Sequence, residues 1–350
     1  MTLRSPSGRV VVRDVVGDRW AEPSGEPAET VGEDLWALPG LVDAHAHLAA
    51  RELNTEPGVL SDAMRRARDA LASGVTLVLD KGWGDDTTIR LIDQLDPAER
   101  PDIEAAGRII TTEGGYFSGF GREIAGSEVA AVVSEAAAAA RGWVKLIGDW
   151  PRRGVGPVAN FTQEELAAAV SAAEAGGARV AIHTMAREVP SQAVAAGVHS
   201  IEHGLFLEEA DIELLGSRGG MWVPTVLRVE ATVGQLGPGS SGGRLLTEGL
   251  RRMRMLVPLA VEAGVHVLAG TDLIGSPADV AAEALRLREL GLDANGIVEA
   301  ISNSAFAATG RDHEFSVGTL ANAVFFSADP LEELEVLRHP RHVMRLGRLR

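Results

Sequence analysis

From about residue 40 to residue 310, short apolar runs alternate with longer stretches whose apolar positions recur at helical spacing. The runs GLVDAHAH (40–47), GVTLVLDKG (74–82), IEAAGRIITT (103–112) and GWVKLIGD (142–149) predict strands. So do ARVAIHTM (178–185), VHSIEHGL (198–205), GMWVPTVL (220–227) and GVHVLAGTD (264–272). Between them, SDAMRRARDALASG (61–74) and TQEELAAAVSAAEAGG (162–177) predict helices. Thr162 and Glu165 have the spacing of a capping box, and Gly176-Gly177 is a stop. The low-complexity EAAAAARG (135–142) reads as an ordinary helix, because alanine is the best helix former. Strands and helices in strict alternation specify a parallel sheet, and eight such units predict an α/β fold closed as a (β/α)8 TIM barrel. An open doubly wound sheet would need a glycine-rich phosphate turn after its first strand, and AHLAARE (46–52) is not one. The two ends are short, β-branched and turn-rich. They predict a small β-sandwich built from residues 1–38 and 317–350, leaving 39–316 as the barrel. GQLGPGSSGG (234–243) reads as a solvated connection after the seventh strand, with a mobile lid as the functional alternative.

Composition narrows the partners. A hydrophobic content of 45% supports a large core, and 49 acidic against 33 basic residues give a net charge of −16. That charge argues against nucleic acid or an anionic membrane and leaves a small-molecule substrate, with homo-oligomerisation open. With no cysteine, a metal must take nitrogen and oxygen ligands. MTLRSPSGRVVVRD has no signal-peptide core and no run reaches the length of a membrane span, so a cytoplasmic protein is expected.

Polar residues fall at the C-terminal ends of the expected strands. His45 and His47 end the first, Asp80 the second, His183 the fifth, His203 the sixth and Asp272 the eighth, and Lys145 lies near the end of the fourth. In a barrel these ends share one mouth, where active sites are built. Each has an ordinary explanation alone: a hydrogen-bonded core histidine, or an aspartate capping a helix. Several converging on one rim point to a shared cause. Residues 45 and 47 lie on one strand face and can converge on one metal. An ammonium repels a cation, but a lysine of depressed pKa can take up CO2 as an anionic carbamate able to bridge two ions. The plainer reading of Lys145 is a salt bridge to Asp80 or Asp149.

This pattern resembles the amidohydrolase superfamily, in its imidazolonepropionase-like and prolidase-like branch with a carboxylated lysine. The phrases LPGLVDAHAHL, AGVHSIEHG, VLAGTD, ISNSAFAATG and GTLANAVFFSADPLEEL carry the likeness over nearly the whole chain. The resemblance implies that His45, His47 and Asp272 hold one divalent ion, His183 and His203 a second, and that carbamylated Lys145 bridges them. Zn2+ is the first expectation; Mn2+, Fe2+ and Co2+ suit the same donors. It further implies a hydrolase in which a metal-bridging hydroxide attacks an amide, dipeptide, N-acyl amino acid or cyclic amide, with Asp272 as general base and then acid. A lactonase or carboxylesterase, and a mononuclear hydrolase on the same barrel, remain alternatives. A deaminase would carry His-Ala-Xaa-Glu after strand five, and His183-Thr184-Met185-Ala186 lacks the glutamate.

Some positions depart from the branch. Where relatives often have a histidine after strand three, the loop within 113–123 has Tyr116, the only tyrosine, which could stabilise an oxyanion or simply pack. After VPT the usual tyrosine is absent, and Arg228 could meet a substrate carboxylate or be solvated. Asn322 replaces a common aspartate away from the chemistry. Arg187 could reach the mouth or lie on the surface. Trp83 and Trp150 could wall an apolar pocket, although core packing is the commoner fate. His199 and His266 read as satisfied core residues, and His313, His339 and His342 as terminal and exposed.

Overall fold

The computed structural model describes residues 2–6, 8–25, 35–51, 56–152 and 154–350. Part of the expected lead-in ETVGEDLWALPG therefore lies outside the described residues. We number the parallel strands of the α/β unit β1 (Leu41–Ala46), β2 (Val75–Asp80), β3 (Asp102–Ala105), β4 (Trp143–Ile147), β5 (Arg179–Thr184), β6 (Ser200–His203), β7 (Met221–Val223) and β8 (His266–Val267). β1–β2–β3 form one parallel sheet, and β4 through β8 run in order through a second. Backbone hydrogen bonds tie the sheets at both joins. Ala105 and Arg141 exchange N–H···O bonds of 2.9 Å beside β3 and β4, and Ala44 N donates to Ala269 O at 2.9 Å where β8 meets β1. Asp272 N then donates to His45 O at 2.8 Å, so two of the singled-out residues are stitched together by backbone. The strands approach closely there. A Cβ on Gly270 would sit 2.5 Å from that of His45.

Alternation explains which side chains face inward. In β4, Val144 and Leu146 join the large apolar layer under the helices, whereas Trp143 belongs to the inner cluster with Ala44, Leu77, Ala181 and Met221. Lys145 has the parity of Trp143 and is buried. Its neighbour on β5 is Ala181, whose small side chain leaves room for the lysine stem.

Helices form where the pattern placed them. Leu60–Ala72 and Gln163–Ala175 match, the second with a reciprocal Thr162–Glu165 capping box, and Val129–Ala139 absorbs the alanine run. Two expectations are corrected. The segment 234–243 is not one long loop: only residues 237–240 connect two helices. Helix Val226–Leu236 continues to its third residue, and Ser241 opens the long helix Ser241–Glu262, with Ser240 Oγ accepting from Gly243 N at 2.9 Å as cap. The third run is not one strand. It breaks at Gly107 (φ +67°), after which Ile110–Thr112 leaves β2 and pairs with β4 through Leu146.

Both chain ends contribute to one six-stranded sheet, in the order Val10–Val12, Thr2–Arg4, Trp36–Leu38, Ala323–Phe326, His342–Arg345, Arg348–Leu349. Leu3, Trp20, Ala37, Phe315, Phe325 and Met344 form its own apolar cluster. Asn322, the departure from the common aspartate, accepts a hydrogen bond from Leu346 N at 2.9 Å. Among the described residues no helix is long and apolar enough to cross a membrane.

Candidate active site

Four histidines gather above the inner cluster. His45 Nε2 and His47 Nε2 lie 3.5 and 3.3 Å from Asp272 Oδ1, and His203 Nε2 lies 3.9 Å from Asp272 Oδ2. His183 Nδ1 is 2.9 Å from His203 Nε2. His45, His47 and Asp272 offer one ligand atom each, all within 4.8 Å of one another.

Local backbone geometry produces this convergence. On β6, Glu202 points inward, so simple alternation would turn His203 outward. Instead His203 takes a left-handed conformation (φ 65°), and both neighbours serve the site. Thr225 (φ 48°), Asp272 (φ 40°) and Leu273 (φ 68°) are also left-handed. Non-glycine residues held there cost about 1–3 kcal/mol each and cluster at functional sites.

Three of the rings have their second nitrogen engaged. His45 Nδ1 lies 2.6 Å from Glu202 Oε2, His47 Nδ1 is 2.6 Å from the Gly82 carbonyl, and His203 Nδ1 is 2.6 Å from Thr225 Oγ1. Such partners fix ring orientation and leave Nε2 for a ligand. Burial pushes His45 down to about 4, His203 to about 3 and His183 well below its usual value, so all three are neutral near pH 7 with a free lone pair. Asp272 is buried, which alone would raise its pKa, but the surrounding histidines hold it well below the carboxylate range.

Lys145 is buried within reach of this field, its charge acting on His45, His183 and His203. Its Nζ is buried without a hydrogen-bond partner. Burial first, with Lys81 adding to it against the pull of Glu202 and Asp272, lowers it to about 8. The alternative salt bridges do not form. Asp80 accepts from Leu48 N (2.6 Å) and Gly82 N (2.9 Å), and Asp149 from Met185 N (2.8 Å) and Ala186 N (2.9 Å). Neutral imidazoles, a carboxylate and an unpartnered amine of lowered pKa make a donor set that fits divalent cations.

The remaining candidates divide. Tyr116 stands over the mouth; burial, together with the charge of Asp272, pushes its phenol pKa up, so it stays protonated. Arg228 is buried, and its Nε donates to the Asp272 carbonyl at 2.7 Å. Trp83 and Trp150 pack at the mouth, their ring centroids each 5.9 Å from His47 and His183 respectively. Arg187 is not brought to the cluster. Its guanidinium is exposed and forks onto Glu248 at 2.8 and 2.6 Å, because four residues beyond His183 the chain has already left the mouth. His199 and His266 are half-buried rather than deep; they meet Glu174 and Val180 N, and Ser304, respectively.

Sequence reasoning missed a buried network beneath the histidines. Glu202 accepts from Ser200 Oγ at 2.6 Å, faces His45 Nδ1, and pairs with Lys81 Nζ at 3.2 Å. Lys81 lies over the Trp143 ring, 4.0 Å from its centroid. A glutamate and a lysine inside apolar strands were the available signal.

Histidines around an aspartate at the C-terminal ends of parallel strands form a candidate metal-binding site. The chain belongs to the amidohydrolase family, whose pattern it matches over residues 36–350, and it is a hydrolytic enzyme acting on carbon–nitrogen bonds. It is 35% identical over 337 residues to an uncharacterized protein of Mycobacterium tuberculosis, covering 92% of this chain and 87% of that one. Solved structures share the fold. A Xaa-Pro dipeptidase with bound methionine superposes with a TM-score of 0.82 at 23% identity, over 100% of this chain and 98% of that one. Aspergillus niger ochratoxinase superposes with a TM-score of 0.80 at 18% identity, over 99% and 94%.

Proposed function

We propose that the protein is a binuclear amidohydrolase of small amides: dipeptides, N-acyl amino acids or cyclic amides. The two parallel sheets, joined at β3–β4 and β8–β1, are read as one closed (β/α)8 barrel, with residues 1–38 and 317–350 as a separate β-sandwich. His45, His47 and Asp272 would hold one divalent ion and His183 and His203 the other, Zn2+ being the first candidate. Lys145, as its carbamate, would bridge them. One observation carries this reading: a buried lysine amine with no hydrogen-bond partner of its own, whose charge acts on His45, His183 and His203. Ions bound there would supply Lewis-acid polarisation of the carbonyl and lower the pKa of a water.

The protein's own groups do the rest. Asp272 accepts the proton of the attacking water and returns it to the leaving nitrogen, so water and amide give acid and amine. Tyr116, kept protonated, donates a hydrogen bond to the carbonyl oxygen as negative charge develops there. Glu202, Gly82 and Thr225 hold the imidazoles in register. A mononuclear reading has its own support, since among the described residues only His45, His47 and Asp272 form a group of three or more at mutual ligand distance.

Metal analysis of reconstituted protein tests the choice. The binuclear reading expects close to two ions per chain, and a carbamate carbon signal on exposure to 13C-labelled CO2 that Lys145→Ala removes. Lys145→Ala protein that keeps its metal content and turnover refutes the bridging role.

A further inference from the structure

The mouth is chemically lopsided. On one side runs a continuous arc of aromatic rings. Trp83 packs on Phe120 (4.8 Å between centroids), Phe120 on Tyr116 (5.8 Å), and Tyr116 on Trp150 (4.5 Å). Its two ends touch opposite histidines, His47 through Trp83 and His183 through Trp150. Trp83 is pinned by its indole N–H, which donates to the Glu56 carbonyl at 3.0 Å. Phe117 stacks on Trp150 at 4.9 Å while remaining 48% exposed, so the arc reaches solvent at the rim. Only 4% of the chain is aromatic, so five rings in one arc at the reaction centre are a concentration.

Beside the Asp272 carbonyl stands Arg228, in the first turn of helix Val226–Leu236. Its side chain is 9% exposed, and Nη2 is buried without a hydrogen-bond partner. Nε is spent on the Asp272 carbonyl, and at 3.8 Å the Asp272 carboxylate is too far for a hydrogen bond. The neighbouring acids are committed elsewhere. Glu230 pairs with Arg286 at 2.6 Å, and Glu283 accepts from Val226 N (2.6 Å) and Leu227 N (3.0 Å). A buried guanidinium with an unpaired face is costly, and a carboxylate is the group that satisfies it through parallel N–H···O bonds. Arg228 bonds the Asp272 carbonyl, Asp272 Oδ1 lies 3.3 Å from His47 Nε2, and the His47 ring faces Trp83, so arc and arginine surround one centre.

We infer that the site is built for an amide that carries both a carboxylate and an aromatic ring, with Arg228 holding the carboxylate and the Trp83–Phe120–Tyr116–Trp150 arc holding the ring. This deepens the amidohydrolase reading above and rests on it. Arg228 is then a specificity-determining residue, and neutral or purely aliphatic amides are poor substrates.

The test separates binding from turnover. Metal-reconstituted protein is titrated with N-benzylglycine, with N-benzylglycinamide, whose carboxamide is monitored for ammonia release during the titration, and with N-methylglycine, which lacks the ring. The carboxylate form is expected to bind about 10- to 100-fold tighter than the carboxamide, the range for a charge-assisted pair. Arg228→Gln should bring that ratio close to one, and Arg228→Lys should restore part of it. Trp150→Leu should weaken both benzyl ligands and leave N-methylglycine unchanged. Equal binding of acid and amide by the unaltered protein overturns the inference without any variant, and a ratio that survives Arg228→Gln overturns it as well. Turnover of N-benzoylglycine and its carboxamide is the second arm. Equal cleavage of both also overturns the inference while leaving the hydrolase reading intact. The expected binding ratio with cleavage of neither supports the carboxylate site and counts against the hydrolase reading alone.

Discussion

Glu202→Gln is the most informative single change. Glu202 and Lys81 are both fully buried, and their charged groups lie 3.2 Å apart. The variant keeps the size of the side chain and a partner for Ser200, but leaves the Lys81 ammonium facing a neutral amide. Breaking a buried pair from one side costs about 3–5 kcal/mol. For a chain of 350 residues that lowers the thermal midpoint by about 4–7 °C. Adding Lys81→Met removes the stranded charge and should recover most of the loss, so the double-mutant cycle shows strong coupling. The pH dependence carries a sign. Burial alone would raise the Glu202 pKa, but Lys81 and His45 outweigh it and hold it well below 4.5. A depressed carboxylate contributes stability that is present above its unfolded value and lost as pH falls below it. Unfolding midpoints of the original protein and the variant should therefore begin to converge as pH falls below about 4.5 and meet only once it passes the lower folded value of Glu202. Metal affinity should also fall, by about 10- to 100-fold, because His45 loses the partner on Nδ1. A variant melting within about 1 °C of the original, or a cycle whose effects simply add, would refute the coupled network.

Other outcomes follow from neighbouring contacts. Thr225→Val removes the partner of His203 Nδ1 and should weaken metal binding about 10-fold by equilibrium dialysis, with little change in the unfolding midpoint. Gly270→Ala forces a Cβ against His45 and should cost about 1–3 kcal/mol or more in denaturant unfolding, with loss of bound metal. Tyr116→Phe should lower kcat more than it raises KM, since the phenol acts on charge that develops in the transition state. Arg187→Ala should leave both turnover and unfolding midpoint unchanged, because the pair with Glu248 is exposed.

The alternation of runs made the parallel strands legible, and the strand ends pointed to His45, His47, Lys145, His183, His203 and Asp272 before any coordinates. What stayed hidden depends on backbone angles and packing partners. No periodicity announces that His203 turns left-handed and so shares the site with Glu202, its immediate neighbour. Glycines at 234–243 suggested a loop, but Gly234 lies in the last turn of one helix and Gly242 and Gly243 sit in the first turn of the next, capped by Ser240. Gly107 ends one strand and redirects the next, which an apolar run cannot reveal. Arg187 and Arg228 looked alike in sequence. Their fates differ because one follows the exit from a strand and the other opens a helix packed beside Asp272.

The mixed sheet at the chain ends constrains how the molecule is made. Trp36–Leu38 lies between Thr2–Arg4 on one side and Ala323–Phe326 on the other. During vectorial synthesis the first segments leave the ribosome long before their partner exists, and they must wait with unsatisfied edges while nearly all of the intervening chain is translated. Contacts of such long sequence separation form late and slowly. Cotranslational assembly of this layer is therefore gated by the emergence of Ala323–Phe326, and ribosome-stalled chains ending before 323 should expose the Leu3–Ala37 face to chaperones and proteases.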